Sequence, residues 1–222
     1  NPAMLYAKQT PGGSGFRHVD GFTDNSRDTA KWGNSVYTFG AGRMTQSGGK
    51  VYYSTSGAVR SYDAAQFKAH GSVAPYNLDW NVRVKVNVPA KSLSSGEQVA
   101  IGLNVENQDD MRDSLGLYLS LGSSYRHLDP DLVVDGTYFS NTPPHKVTTL
   151  TSAMLQLRWD AASTTMHWEY DADGDIGGWA WESLGSANLS SGAYSWGMTS
   201  SSGFIISIDA GSENVSIATS DN

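Results

Sequence analysis

Hydrophobic and polar residues alternate strictly along several stretches of the chain. In the clearest of them, residues 80–88, Trp80 and four valines occupy every second position and polar side chains lie between them. This alternation is typical of a β-strand with one buried face and one face in water. Other candidate strands lie around Phe22 and at 36–39, 51–53, 99–105, 115–121, 155–159, 166–170, 179–181, 204–208 and 215–217.

The overall fold follows from what these strands must bury. Turns rich in glycine and serine separate the strands, and no stretch shows the periodicity of a helix. A strand with one apolar face needs a second layer to cover it, and about a dozen such strands form two layers. The sequence therefore predicts an all-β, antiparallel two-sheet β-sandwich that forms a single domain over residues 1–222.

Two hairpins can be paired residue by residue, because buried faces must match across a hairpin. Placing Trp159 opposite Met166 puts Arg158 opposite His167, and Gln156 opposite Glu169, on the other face. That polar surface is either an ordinary solvated face with a charge pair or a platform for a ligand rich in hydroxyl or carboxylate groups.

The upstream hairpin gives a second candidate surface. Placing Val105 opposite Leu115 puts Asn104 opposite Gly116 and Gly102 opposite Tyr118, away from the core. Two glycines beside a tyrosine form either a shallow trough with an aromatic wall or a twisted sheet with no ligand. The candidate ligand-binding residues from both hairpins are Asn104, Tyr118, Gln156, Arg158, His167 and Glu169.

Charge and composition exclude several classes of protein. The chain of 222 residues has a net charge of −7, which argues against a nucleic-acid partner, since such proteins present basic surfaces. It has no cysteine, so disulfides and thiolate metal sites are excluded. No apolar run is long enough for membrane insertion. The high content of Gly, Ser and Thr is typical of secreted β-proteins, so we expect a secreted or cell-surface protein whose leader was removed before Asn1.

A candidate calcium site begins at Asp171. Asp171, Asp173 and Asp175 are followed by Glu182 at the twelfth position, which is the ligand frame of a calcium loop. The alternative is a tight Asp-Gly hairpin turn that needs no metal. The acidic loop 107–113 is a second place for calcium or a sugar, or else a solvated loop.

No complete catalytic motif is present. The five histidines are scattered, and neither a zinc signature nor a nucleophile elbow occurs. Glu169 and Asp171 lie on one face of a strand, roughly 7 Å apart, as a pair for glycoside hydrolysis requires. Tyr118, Arg158 and His167 are residue types that a lyase would use. The catalytic candidates are therefore Glu169, His167, Arg158 and Tyr118.

Residues 16–222 resemble a known superfamily in pattern. The pattern lies in the opening residues 19–32, VDGFTDNSRDTAKW, and in the late segments 157–160 and 168–171, which are followed by Trp179. This pattern resembles the concanavalin A-like lectin/glucanase superfamily of laminin-G-like jelly rolls. The resemblance implies two curved sheets whose concave face often binds glycans, sometimes with a structural calcium ion. The superfamily's retaining glucanases carry a Glu-x-Asp-x-x-Glu strand, whereas 169–174 here lacks the second glutamate.

The resulting expectation is a lectin-like carbohydrate-binding domain that recognises a polysaccharide on its concave sheet face and is stabilised by calcium. One alternative is a polysaccharide lyase or glycoside hydrolase of the same fold, and another is an adhesion or structural module of a larger extracellular protein. The tryptophans expected to be free for stacking on sugars are Trp32, Trp179 or Trp181, and Trp196.

Overall fold

The structure is a computed structural model that describes residues 5–9, 17–20, 28–32, 37–47, 50–54, 63–68, 74–139, 143–174 and 178–213. Within these residues the chain forms seventeen strands. They are β1 (Leu5–Gln9), β2 (Arg17–Asp20), β3 (Tyr37–Phe39), β4 (Arg43–Ser47), β5 (Lys50–Ser54), β6 (Asp63–Lys68), β7 (Ala74–Pro75), β8 (Trp80–Asn87), β9 (Gln98–Asn107), β10 (Ser114–Gly122), β11 (Arg126–Val134), β12 (Thr137–Tyr138), β13 (Lys146–Val147), β14 (Ser152–Asp160), β15 (Thr165–Asp171), β16 (Glu182–Asn188) and β17 (Gly203–Glu213).

Two large sheets contain almost all of these strands. One has six strands in the order β16-β15-β14-β8-β1-β2, and the other has the order β12-β11-β10-β9-β17-β6-β3, with β13 also on β11 and β7 also on β17. All of these pairs are antiparallel, and β4 and β5 form a separate hairpin. The all-β two-sheet sandwich predicted from the alternation is confirmed.

The core lies between the two sheets, where their apolar faces meet. Val82 and Val84 on β8 and Leu103 and Leu117 on β9 and β10 are all buried in it. A hydrogen bond also joins the sheets, because the indole Nε1 of Trp168 donates to the carbonyl oxygen of Gly116 over 2.7 Å. Along each of these strands the core residues occupy alternate positions, so the residues between them face away from the core.

The predicted registers of both hairpins are confirmed. Trp159 lies opposite Met166 and Arg158 opposite His167 between β14 and β15. Gly102 lies opposite Tyr118 between β9 and β10. The matching of buried faces therefore fixes these pairings to the residue.

Helical structure is limited to single turns in the described residues. They are a four-residue helix, Thr29–Trp32, and a 3-10 turn, Gly192–Tyr194. No helix in the described part of the chain is long and apolar enough to cross a membrane.

Other sequence predictions need correction. Residues 179–181 do not form a strand; the strand there is β16, which begins at Glu182. Trp32 and Trp196 are buried and not free for stacking, because they pack near Phe67 and Phe204 respectively. The candidate strands around Phe22 and at 215–217 lie outside the described residues.

Strand β11 has no counterpart among the predicted strands, and its Pro130 explains why. Proline lacks the N–H of a regular sheet residue and is tolerated only where that group would face an open edge. The carbonyls of Arg126 and Leu132 point away from β10, because they accept the N–H groups of Thr148 and Phe139. Pro130 lies an even number of residues from Arg126 and from Leu132 along the strand. Its nitrogen therefore also points away from β10, into the gap between β13 and β12.

Candidate functional site

A groove of about 590 Å³ lies on the outer face of the nine-stranded sheet. We call it the sheet groove. Strands β9, β10, β11 and β17 build it, because each turns its apolar residues to the core and its alternate residues outward. The lining includes three tyrosines, two histidines and three aspartates, namely Tyr118, Tyr125, Tyr138, His127, His145, Asp129, Asp131 and Asp209.

One row of residues crosses four strands beneath the sheet groove. Asp129 pairs with Tyr118, Tyr118 with Gly102, and Gly102 with Asp209. Because Gly102 has no side chain, the Tyr118 hydroxyl reaches over β9 and donates to Asp209 Oδ2 at 3.2 Å. A Cβ on Gly116 would meet the same tyrosine ring. Tyr118 thus occupies the trough expected above the two glycines, and neither glycine lines the groove.

Asp131 and Asp209 are the two groove carboxylates whose pKa values are raised. Burial, together with repulsion from Asp129 and Asp209, raises the pKa of Asp131 to about 6, although a hydrogen bond from Tyr138 acts in the opposite direction. Burial also raises the pKa of Asp209 to about 6, with repulsion from Glu106. Hydrogen bonds from Gln66 and Tyr118 act in the opposite direction on Asp209. Both groups therefore exchange protons near neutral pH, which suits proton transfer as well as hydrogen bonding.

These two pKa values predict how stability depends on pH. A free aspartate ionises near pH 3.9, so between about pH 4 and 6 the folded chain binds more protons at Asp131 and Asp209 than the unfolded chain. The contribution of these groups to the free energy of unfolding must then decrease as pH rises through that window. We expect Asp131→Asn to flatten this decrease, measured as urea midpoints from pH 4 to 7.

Asp110→Asn is the control for this measurement. A hydrogen bond from Arg112 lowers the pKa of the exposed Asp110, so its titration affects stability only below about pH 4. If Asp131→Asn and Asp110→Asn had the same slope between pH 4 and 6, the buried carboxyl would not be the source of the decrease.

One wall of the sheet groove is a stack of three rings. Tyr125 lies against His127 with ring centroids 4.5 Å apart, and His127 lies against His145 with centroids 4.4 Å apart. Nearby, the Tyr138 hydroxyl donates to Asp131 Oδ1 at 2.9 Å. The groove therefore combines aromatic faces with hydroxyl donors and carboxylate acceptors within one depression.

The six ligand-binding candidates do not share one surface. Gln156, Arg158, His167 and Glu169 lie on the outer face of the six-stranded sheet, on the opposite side of the sandwich. Of the six, Tyr118 alone is among the described residues that line the sheet groove. Asn104 is buried, and its amide donates to Glu106 Oε1 at 3.3 Å.

On the six-stranded sheet, the polar side chains are paired with one another. Arg158 donates to Glu169 Oε1 at 2.9 Å, and Gln156 donates to Glu169 Oε2. Burial lowers the pKa of His167, and the charge of Arg158 lowers it further. These contacts correspond to the first alternative predicted from the sequence, a solvated face with a charge pair. A ligand would have to displace these internal hydrogen bonds to bind there.

Two tryptophans lie near the same sheet. Trp179 and Trp181 are stacked with ring centroids 5.3 Å apart, and the Arg83 guanidinium carbon lies 4.9 and 4.8 Å from the two centroids. Trp179 is 43% exposed. Between the two tryptophans, the Ala180 N–H donates to the Asp171 carboxylate and not to a neighbouring strand, in agreement with the absence of a strand at 179–181.

Two of the predicted calcium ligands, Asp171 and Glu182, have protein partners in the structure. Asp171 is buried and accepts the backbone N–H of Ala180 at 2.8 Å, so its carboxylate closes the turn. Glu182 accepts the Tyr170 hydroxyl at 2.6 Å and the Lys146 ammonium at 2.9 Å. Asp173 is exposed, and Asp175 lies outside the described residues. Calcium at this turn stays a prediction.

The acidic loop 107–113 uses its polar groups internally. The Asn107 amide donates to Asp113 Oδ2 at 3.0 Å, and Asp113 Oδ1 accepts the N–H of Asp135 at 2.7 Å. Asp110 forms an ion pair with Arg112. These contacts shape the connection between β9 and β10, and they give a structural role to the residues that suggested a calcium or sugar loop.

Sequence reasoning missed most of the sheet groove. His127, Asp129 and Asp131 alternate with Leu128, Pro130 and Leu132, which is the period-2 signal of a strand. Reading Pro130 as an edge residue would have revealed that signal. Asp209 lies between Ile208 and Ala210 on a strand that was predicted, but nothing local in the sequence places it beside β11.

Comparison with known proteins finds a remote similarity among solved structures. Among solved structures, the chain is similar to the β-glucanase of Bacillus licheniformis, with 10% sequence identity, a TM-score of 0.35 and 96% of each chain covered. No protein-family model matches the chain, and no curated protein matches it.

Proposed function

We propose that the chain binds a neutral polysaccharide in the sheet groove, as a lectin-like carbohydrate-binding domain of a secreted or cell-surface protein. The observation that carries the proposal is the composition of this groove, which is lined by tyrosine and histidine rings together with carboxylates. Its volume of about 590 Å³ lies within the usual range for small-ligand sites.

The chemistry of a sugar fits these two kinds of group. The face of a sugar ring carries C–H groups that pack against an aromatic face. Both faces of His127 are covered within the stack, so the exposed rings of His145 and Tyr138 are the ones that offer such a face. Sugar hydroxyls donate well to carboxylates, since hydrogen bonds to an ionised acceptor are the stronger ones. Asp129 and Asp131 supply such acceptors in the same depression.

The charge of the sheet groove favours neutral sugars over uronic acids. Three aspartates line it, while none of its described lining residues is lysine or arginine. A polysaccharide that carries carboxylates would be repelled at close range. A lyase needs a cation to neutralise the substrate carboxylate, so the groove gives less support to a lyase than to a binding domain.

Tyr138 and Trp179 allow a matched test of where the polysaccharide binds. Both are exposed aromatic residues, 56% and 43% respectively, and they lie on opposite sides of the sandwich. We expect Tyr138→Ala to reduce retardation in affinity electrophoresis by about tenfold in apparent affinity, a typical effect of removing one stacking and hydrogen-bonding residue. Trp179→Ala should migrate like the parent protein.

The polysaccharide panel contains neutral glucans, galactans and mannans together with uronate polymers. Loss of binding in Trp179→Ala with full binding in Tyr138→Ala would place the site on the six-stranded sheet and contradict the proposal. Retardation by uronate polymers alone would contradict the assignment to neutral sugars. Retardation by none of the panel would favour the adhesion or structural module.

Hydrolysis in the same groove is a second candidate function, favoured by one observation. Asp131 and Asp209 both have a pKa of about 6 and interact electrostatically, so one can remain protonated while the other is ionised. Glycoside hydrolysis needs such an acid and a second carboxylate. Release of reducing sugar that is lost in Asp209→Asn would identify a hydrolase, and binding without product would identify a lectin-like domain.

Calcium remains part of the proposal as a stabilising ion at the 171–182 turn. Binding to the folded form alone raises the melting temperature. A melt with calcium against one with EGTA therefore checks it, and an unchanged melting temperature would remove calcium from the proposal.

A further inference from the structure

Three side chains with metal-binding atoms converge at one end of the sheet groove. His127 and Asp129 are two residues apart on β11, so they project from the same face of the strand. His145 precedes β13, which pairs with β11 and sets Val147 opposite His127. One potential ligand atom from each of the three side chains lies within 4.8 Å of the other two.

We propose that His127, Asp129 and His145 bind a zinc ion. Two imidazole nitrogens and one carboxylate oxygen are the ligands that zinc prefers in sites with three protein ligands, which leave a fourth position open. His127 and Asp129 are half-buried, His145 is exposed, and both histidines line the groove. The fourth position therefore faces the groove, where water or a ligand oxygen completes the tetrahedron.

The geometry is close to that of a bound site and needs one rotation. His127 Nδ1 lies 3.6 Å from Asp129 Oδ1, whereas ligand atoms around a tetrahedral zinc ion lie about 3.3 Å apart. The rings of His127 and His145 are nearly parallel, at 15°, so their in-plane lone pairs do not yet converge. Because His145 is exposed, its ring can turn toward the other two ligands.

The electrostatics of the surroundings favour a cation. Asp131 and Asp209 line the same groove, and the described lining residues include no lysine or arginine. Lys146 is adjacent to His145 in sequence, but its ammonium group is held by the Tyr170 hydroxyl and by Glu182. A bound ion would offset the excess of negative charge in the groove and connect β11 to the segment that carries His145.

Zinc binding is measured by calorimetry on the untagged chain after removal of metal with a chelator. We expect one zinc ion per chain and a higher melting temperature, because zinc binds the folded form. Loss of an outer-shell partner already weakens metal sites by about 10–100-fold, so His145→Ala and Asp129→Asn should weaken zinc binding at least tenfold. His145→Ala also tests the site without a risk to the fold, because this side chain is exposed.

His167→Ala is the matched control, since it removes a histidine from the opposite sheet. His167→Ala should bind zinc like the parent chain. With cobalt as a coloured substitute for zinc, His167→Ala should give the same visible absorption band as the parent chain, and His145→Ala should lose this band. The proposal is overturned if zinc gives no binding heat and no shift in melting temperature. It is equally overturned if His145→Ala binds zinc like the parent or if His167→Ala loses binding.

The zinc site and glycan binding are tested separately. The metal titration contains no polysaccharide, and the electrophoresis for the proposed function is run with chelator and again with zinc. Failure of one therefore leaves the result of the other intact.

Discussion

Trp168→Ala should lower the free energy of unfolding by about 3–5 kcal/mol, the range for removing a large buried aromatic side chain. Trp168 is fully buried and lies in the core between the two sheets. Its Nε1 donates to the carbonyl of Gly116 on the facing sheet, so the substitution creates a cavity and also leaves a buried carbonyl without its donor. Urea unfolding followed by tryptophan fluorescence and by circular dichroism measures the change.

Two further variants separate the contributions to this effect. Trp168→Phe keeps an aromatic ring but loses the hydrogen bond, and we expect it to cost about 1–3 kcal/mol. Trp179→Ala removes an exposed tryptophan and should change the free energy of unfolding by no more than about 0.5 kcal/mol. A loss below about 1 kcal/mol in Trp168→Ala would show that the contact between the sheets matters little to stability.

Gly102→Ala should also be strongly destabilising, for a different reason. A Cβ at this position would collide with the carbonyl oxygen of Leu117 and lie 2.7 Å from the Cα of Tyr118. Both are backbone atoms of the neighbouring strand, so they cannot move aside without loss of the pairing between β9 and β10. We expect a loss of about 3 kcal/mol or more, at the upper end of overpacking effects.

Gly116→Ala is the matched comparison on the paired strand. Its Cβ would lie 2.7 Å from Cζ of Tyr118, but this contact is with a side chain that can rotate away. We expect a smaller loss of stability together with loss of the Tyr118 hydrogen bond to Asp209. Equal losses in the two variants, measured in urea, would contradict the distinction between a backbone collision and a side-chain collision.

The sequence predicts the strand pairings well where both faces of a hairpin are well marked. In the hairpin of β14 and β15, Leu157 and Trp168 lie at positions that alternate with polar residues, and only one register buries all of the apolar positions. Leu103 and Leu117 match the hairpin of β9 and β10 in the same way. The two hairpin registers are therefore predicted to the residue. Alternation also predicts the two layers, since each strand has a single face to cover.

Alternation does not tell which sheet a strand joins. Gln156 and Asn104 were both predicted to face outward, and both do, but on sheets that lie on opposite sides of the core. For the same reason the sheet groove could not be assembled from the sequence. Asp131 and Asp209 are brought together by the order β11-β10-β9-β17, which depends on the packing of the whole chain.

The position of Pro130 has a consequence for how copies of the protein behave toward one another. Between β13 and β12, Pro130 occupies the position of β11 whose N–H would point away from β10, and a free N–H at the edge of a sheet is a template on which another polypeptide can add a strand. Pro130 has no N–H to offer. The same residue that hides the strand in the sequence therefore removes a donor that edge-to-edge pairing between copies would use.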